Sequence, residues 1–327
     1  MLKYNLFVIA SPLQLLNAQE ALKYFSLKNN ILVIIDTAGL NNKIQIDKVL
    51  DTLLFKKIIR LENDSRKKSR FLVYVKLIQQ LKKNYYHKVI LGNFGSINHM
   101  IASNVRMEKL YLVDDGTITI SIYEKLIKRF SSKFNIKKIR FYFFGLRTEL
   151  VKELNYFTIF KLAPKENIEI IHNNYKYLKK KYNTESFKHE EVVYFLGQPL
   201  VENGLLREED YQKYMRAIVK YFKGKKIIYI PHRSEINFKN ITPFINDDFI
   251  VQESTIPVEL LFLEKRIIPY AITSFVSTAL FTLEEIFYEK TKIISFKIDM
   301  EKFLKERLVL FKHYEYLAKT SATIVEI

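Results

Sequence analysis

Three short polar clusters in this 327-residue chain carry side chains able to do chemistry, and each follows an apolar run. The first is VDDGT at 113–117. Asp114 and Asp115 cannot both ionise without cost if they are close and partly buried, so one should have a raised pKa, which suits a general base. Gly116 permits a turn that a Cβ would obstruct, and Thr117 can cap the next element. An ordinary Asx turn uses the same letters. The second cluster is YIPHRSE at 229–235, where the chain leaves an apolar run through Pro231, His232 and Arg233. A histidine beside an arginine at a strand end suits a phosphate, with His232 donating to an oxygen and Arg233 neutralising charge. The third is AITSFVSTAL at 271–280, which places Ser274, Ser277 and Thr278 where a strand gives way to a helix. Hydroxyls and free N–H groups at a helix N-terminus together make an anion site.

Four further loops hold weaker signals. FLGQPLVENG at 195–204 leaves its strand through Gly197 and Gln198, which allows close backbone approach. Glu259 in TIPVELLF sits just inside a helix opened by Pro257, where a carboxylate either accepts from two ribose hydroxyls or merely complements the helix dipole. Near the start, ASPLQLL offers Ser11 as N-cap, Pro12 at the first helical position and Gln14 as capping-box partner. GNFGSINHM at 92–100 carries Asn93, Asn98 and His99, but its glycines lack the spacing and the following acidic residue of a dinucleotide fingerprint. Carboxylates thus fall in the first half of the chain, and phosphate and ribose ligands in the second.

The elements that must position these residues alternate in type. Strands are expected at 4–10, 30–36, 56–61, 87–92 and 109–114, with helical patterns near 12–26, 43–53, 66–83 and 96–104. A lysine-rich stretch from 163 to 190 lacks a clear strand signal and reads as a linker with one helix. The rhythm restarts with strands at 191–197, 225–231, 247–251, 266–273 and 291–296, and helices at 207–223, 257–265, 277–287 and 299–311. Repeated βαβ units of this kind predict an α/β chain of two Rossmann-like domains, 1–185 and 186–327, facing across a cleft. Ligands in such sheets bind beyond the carboxyl ends of the strands, where all these clusters lie.

Composition narrows the classes further. With no cysteine, disulfides, thiolate metal sites and a cysteine nucleophile are excluded. The apolar run at the N-terminus is short and lacks a small-residue cleavage site, so it reads as a buried strand. No window approaches the roughly 18 apolar residues of a membrane span. The formal charge of +18 suits weak attraction to an anionic membrane surface or glycolipid. No nucleic-acid module is recognisable, so nucleic acid is not the expected partner.

VDDGT, LGQP, YIPHR and TSFVSTAL, in this order over nearly the whole chain, resemble the bacterial lipooligosaccharide sialyltransferases of glycosyltransferase family 52. ASPLQLLNAQEAL and NYFTIFK at 155–161 are similar to that family too. The resemblance implies a GT-B fold, CMP-sialic acid as donor, inversion at the anomeric carbon, and neither metal nor cofactor. It implies that Asp115 is the general base, that His232 holds or protonates the departing phosphate, and that Ser277 and Thr278 bind it. Gly197, Gln198 and Glu259 would contact cytidine and ribose, while Ser11, Gln14, Asn93, Gly116 and Thr117 lie on the acceptor side. The family's motif is His-Pro, whereas Arg233 follows His232 here. That substitution removes the proline's rigidity and adds a cation.

The expected function is therefore transfer of sialic acid from this donor to a terminal sugar, galactose by resemblance, of a bacterial surface glycan such as lipooligosaccharide or capsule. Domain closure would accompany the reaction. The expected location is the cytoplasm, with attachment to the inner membrane face and homodimerisation left open. Two alternatives stand beside it. One is a GT-B enzyme using another CMP-nonulosonic acid or a UDP- or GDP-sugar, and the other a basic protein that binds polyanions without turnover.

Overall fold

A computed structural model describes residues 3–37, 40–61, 71–127, 141–148, 153–232, 234–235 and 238–327. Arg233 and the first residues of the helix expected at 66–83, up to 70, lie outside the described residues. The chain divides into two compact units, Met1–Tyr177 and Leu178–Ile327, against the break expected at 185/186.

The first unit is a seven-stranded, wholly parallel sheet in the order β3-β2-β1-β4-β5-β6-β7. Its strands are β1 (Tyr4–Ile9), β2 (Asn30–Ile35), β3 (Lys57–Leu61), β4 (Tyr85–Leu91), β5 (Arg106–Val113), β6 (Asn155–Thr158) and β7 (Ile170–His172). β1 and β2 are interior strands and read as near-continuous apolar runs, because both faces of a parallel sheet are covered. Each aliphatic side chain buried there contributes about 1.5–3 kcal/mol. The helices α1 (Pro12–Tyr24), α2 (Leu40–Val49), α3 (Phe71–Leu81), α4 (Ser96–Asn104) and α5 (Ile118–Ile127) make the crossovers.

α1 starts as its sequence predicts, with the Ser11 side chain accepting from Gln14 N and Pro12 in the first turn. It stops at Phe25, after which Ser26 takes a left-handed conformation with φ 51°. α1 is buried on nearly every side, and it takes Asn17, Gln19 and Glu20 into the interior with its apolar residues. Each is bonded to a different neighbour: Asn17 donates to the Asp114 carbonyl, Gln19 to the Val49 carbonyl, and Glu20 accepts from the Tyr177 N–H. Buried polar groups of this kind cost little when paired and much when not.

The second unit repeats the pattern with six parallel strands in the order β10-β9-β8-β11-β12-β13. They are β8 (Lys188–Leu196), β9 (Lys226–Ile230), β10 (Phe249–Val251), β11 (Ile267–Ser274), β12 (Lys292–Lys297) and β13 (Thr323–Glu326). A short helix α6 (Lys176–Tyr182) precedes them, and α7 (Glu208–Tyr221), α8 (Val258–Lys265), α9 (Ala279–Phe287) and α10 (Arg307–Leu317) pack around them. Aromatic rings fill its centre, including Phe195, Tyr229 and Phe275.

Three strands and one helix correct the sequence reading. β7 lies inside the stretch read as lacking a strand, and β6 and β13 were not expected. They have four residues or fewer, too short to show a period, and take their pairing from the strand beside them. The helix expected at 299–311 is a 3-10 turn at Met300–Lys302, capped by Asp299, followed by α10. Glu306, at φ 60°, separates the two.

Candidate active site

Both sheets reverse direction of winding beside their central strand, between β1 and β4 in the first unit and between β8 and β11 in the second. The loops that leave these strand pairs open a crevice at such a point, where ligands of doubly wound sheets bind.

In the first unit the loop after β1 and the loop after β4 meet there. Gln14 Oε1 accepts from the Ala10 N–H at 2.7 Å, one residue earlier than a standard capping box. Gly92 lies against it: a Cβ at 92 would come within 2.3 Å of Gln14 Oε1 and 2.7 Å of its Cβ. Asn93 uses its side-chain oxygen within its own loop, accepting from Gly95 N at 3.0 Å and Asn98 Nδ2 at 2.9 Å. Gln14 and Asn93 therefore shape the crevice, while half-buried Ser11 caps α1.

One strand further on, the two aspartates part. Asp114 is 1% exposed. Its carboxyl accepts from Thr158 Oγ1 at 2.6 Å and from the Ile159 N–H at 2.7 Å, which fastens the end of β6 to the end of β5. Burial pushes its pKa up to about 7, although these hydrogen bonds oppose the shift. Asp115 is half-buried at the turn, and its N–H donates to Thr119 Oγ1 at 3.1 Å. Gly116 follows at φ 68°, a left-handed conformation that favours glycine. The carbonyls of Gly116 and Thr117 accept from Thr119 N and Ile120 N as α5 begins. The raised pKa expected for one aspartate of the pair thus belongs to Asp114, which is bound into the protein interior, and Asp115 is the one set at the turn.

In the second unit the sequence motifs interlock. Gln198 Oε1 accepts from the Val276 N–H at 2.8 Å and from Ser274 Oγ at 3.2 Å. Ser274 is fully buried and also donates to the Leu196 carbonyl at 2.7 Å. Its hydroxyl therefore braces the two loops, whereas Ser277 and Thr278, grouped with it in the sequence, stand elsewhere. Those two residues are half-buried at the start of α9, where Ser277 Oγ accepts from the Ala279 N–H at 3.3 Å. Glu259 is buried in the first turn of α8, following β10.

Pro231, half-buried, and His232, exposed, follow β9. The chain turns at once: the Glu235 N–H donates to the His232 carbonyl at 2.8 Å, and the His232 N–H donates to Glu235 Oε2 at 2.7 Å. The Ser234 N–H donates to His232 Nδ1 at 3.2 Å. These bonds close a turn in which the Glu235 side chain reaches back to the His232 N–H and the His232 ring accepts from the Ser234 N–H. An N–H donated to Nδ1 requires that nitrogen to be unprotonated, so the neutral ring carries its proton on Nε2.

Sequence reasoning missed Glu235. Its other oxygen accepts from Tyr229 Oη at 2.9 Å, and Tyr229 is hydrogen-bonded in turn to Tyr211 at 2.9 Å. Burial pushes the Glu235 pKa up to about 7, opposed by the bonds from Tyr229, His232 N and Gln198 N and assisted by Glu202. Gly197 lies directly on this pair, since a Cβ there would meet Tyr229 Oη at 2.4 Å and Glu235 Oε2 at 2.6 Å. The signal that could have found Glu235 is the His-x-x-Glu spacing after an apolar run. Among the described residues, no group of three or more His, Asp or Glu is placed to hold a metal ion, and no helix is long and apolar enough to cross a membrane.

Solved structures of similar fold cover almost the whole chain. A putative UDP-N-acetylglucosamine 2-epimerase from Listeria monocytogenes aligns with a TM-score of 0.57 and 13% identity, over 99% of this chain and 92% of that one. S. aureus MnaA bound to UDP aligns at 0.55 and 13% identity, over 98% and 92%. The UDP-GlcNAc 2-epimerase of Methanocaldococcus jannaschii, in complex with UDP-GlcNAc and UDP, aligns at 0.52 and 13%, over 99% and 88%. At such identities the likeness is one of fold, and the fold class is GT-B, two Rossmann-like α/β domains. No curated protein sequence matches the chain. A family description does: Alpha-2,8-polysialyltransferase (POLYST) matches residues 5–296, a span that holds every one of these motifs, and the chain belongs to that family.

Proposed function

We propose that the protein is an inverting sialyltransferase that moves sialic acid from CMP-sialic acid to the terminal sugar of a bacterial surface glycan. The family supports sialyl transfer. The observation that carries the residue assignment is the separation of the two aspartates, since Asp114 is bound into the interior and Asp115 stands at the turn after β5. In the reaction, Asp115 takes the proton of the acceptor hydroxyl as its oxygen attacks the anomeric carbon of sialic acid. The bond from that carbon to the phosphate oxygen breaks, and CMP leaves with its electron pair.

The second unit would hold the leaving group. His232 donates from Nε2–H to a phosphate oxygen, and Ser277, Thr278 and the free N–H groups of α9 receive the rest of the charge. Arg233, next to His232 in the sequence, would add a cation. Gly197, Gln198 and Pro231 would line the nucleoside side, with Glu259 accepting from the ribose hydroxyls. Ser11 and Thr117 would border the acceptor. A monophosphate leaving group bears less charge than a diphosphate, so these donors take the place of a metal ion, and turnover should continue in EDTA. The acceptor has two supports. The motif resemblance points to galactose, and the family description to a sialic acid already at the chain end. The weakly bound membrane surface expected from the +18 charge would bring enzyme to glycolipid.

The UDP named for two of the fold relatives makes a UDP-sugar the competing donor. Thermal shift separates the readings. CMP at about 100 times its Kd should stabilise the protein by about 2.7 kcal/mol, and UDP and GDP at the same concentration by much less. Equal or greater stabilisation by UDP would reverse the donor assignment.

A further inference from the structure

We propose that Glu235 is a positioning residue that fixes the ring of His232, and through it the phosphate-holding Nε2–H. This rests on the reading of His232 as the phosphate ligand. Glu235 joins the loop after β9 to that strand and to the loop after β8. It accepts from the His232 N–H at the end of β9, from Tyr229 Oη within that strand, and from the backbone of Gln198 after β8. Gln198 is itself tied to Ser274 and Val276 after β11. The carboxyl therefore sits at the junction of the LGQP, YIPHR and TSFVS motifs, and the missing side chain at Gly197 leaves room for it.

Its chemical effect on His232 is specific. The turn that Glu235 closes holds the Ser234 N–H 3.2 Å from His232 Nδ1. While that bond is in place, the neutral ring is the Nε2–H tautomer, a donor on the side away from the turn. If the turn opens, the two tautomers lie closer in energy, and part of the population offers an acceptor to the phosphate in place of a donor. A loop loosened by the same change also misplaces the ring, and misplacement by about 1 Å can cost about 100-fold in rate.

Among the described residues, the groups that act on the Glu235 carboxyl are Tyr229, Glu202 and the backbone of His232 and Gln198. A half-buried acid is costly to keep unless its oxygens are satisfied. Here it accepts donors from β9 and from the loops after β8 and β9, which no apolar side chain could do.

The test uses the full chain, labelled with 15N, in which the ring nitrogens of six histidines are recorded and His232 is assigned by its loss in His232→Ala. Wild type should show the Nε2–H pattern at His232, and Glu235→Ala a mixture of the two tautomers. If Glu235→Ala does not fold, Glu235→Gln keeps the side-chain volume with a single acceptor oxygen and should show a partial change. Turnover of CMP-sialic acid supplies a double-mutant cycle: Glu235→Ala should lower kcat about 10-fold to 100-fold, but less than about 2-fold when residue 232 is already alanine. An unchanged tautomer together with additive losses would overturn the proposal. Should wild type turn over no CMP-sugar, the donor assignment falls, while the ring-nitrogen spectra still decide the role of Glu235.

Discussion

Replacing Asp115 by asparagine is expected to lower turnover by about 100-fold to 10,000-fold, the range lost with a general base, and to leave both the melting temperature and CMP affinity as they were. The substitution keeps side-chain shape and leaves intact the Asp115 N–H bond to Thr119 Oγ1 that shapes the turn. It removes the basicity that would accept the acceptor's proton. CMP affinity should hold because the groups assigned to the nucleotide belong to the other unit. Steady-state kinetics and calorimetry on the same preparation check this. A rate within about threefold of wild type would remove Asp115 from the chemistry, because so small a loss is far below what a general base supplies.

Asp114 should respond in the opposite sense, losing stability first. Asp114→Ala leaves the Thr158 hydroxyl and the Ile159 N–H facing a small cavity, each having lost its acceptor. A buried donor stripped of its partner costs about 1–3 kcal/mol, so the pair should cost about 3 kcal/mol or more, read as a lower urea midpoint. Asp114→Asn preserves the shape and one acceptor oxygen and should cost much less. The pH dependence supplies a second reading. In the folded chain the Asp114 carboxyl has a pKa of about 7 against an ordinary 3.8, so the native state holds this proton more tightly than the unfolded chain does. Its favourable contribution is complete below pH 4 and is lost as pH rises towards 7, with a slope of at most about 1.4 kcal/mol per pH unit. Asp114→Asn lacks that slope, so wild type should fall relative to it between pH 4 and pH 7. Parallel curves for the two proteins would show that Asp114 does not hold a proton in the native state.

The fold was largely legible because parallel strands buried on both faces announce themselves as apolar runs, as in NLFVI at 5–9 and ILVII at 31–35. The short edge strands β7 and β13 carry no such mark, since at three and four residues their pairing partners decide their shape. The site was legible as a set of loops, because a polar cluster at the carboxyl end of a strand is visible from order alone. What each side chain does within its loop was not. Ser274 and Ser277 look alike in the sequence, yet one braces Gln198 and the other stands at a helix start. The partner that separates Asp114 from Asp115 is Thr158, 44 residues away on a strand with no period of its own. The same holds for α1, whose Asn17, Gln19 and Glu20 would be taken for a solvated face, although each meets a specific backbone group.

The most direct measurement is incubation of the purified full-length protein with CMP-sialic acid, in EDTA, against two acceptors, a galactose-terminated and a sialic acid-terminated oligosaccharide. The expected result is release of CMP matched one for one by a sialylated product with inverted anomeric configuration, and no product from Asp115→Asn above about one part in a hundred. Release of CMP without a glycosylated product, or transfer from a UDP-sugar with none from CMP-sialic acid, would contradict the assignment of the protein as a CMP-dependent sialyltransferase.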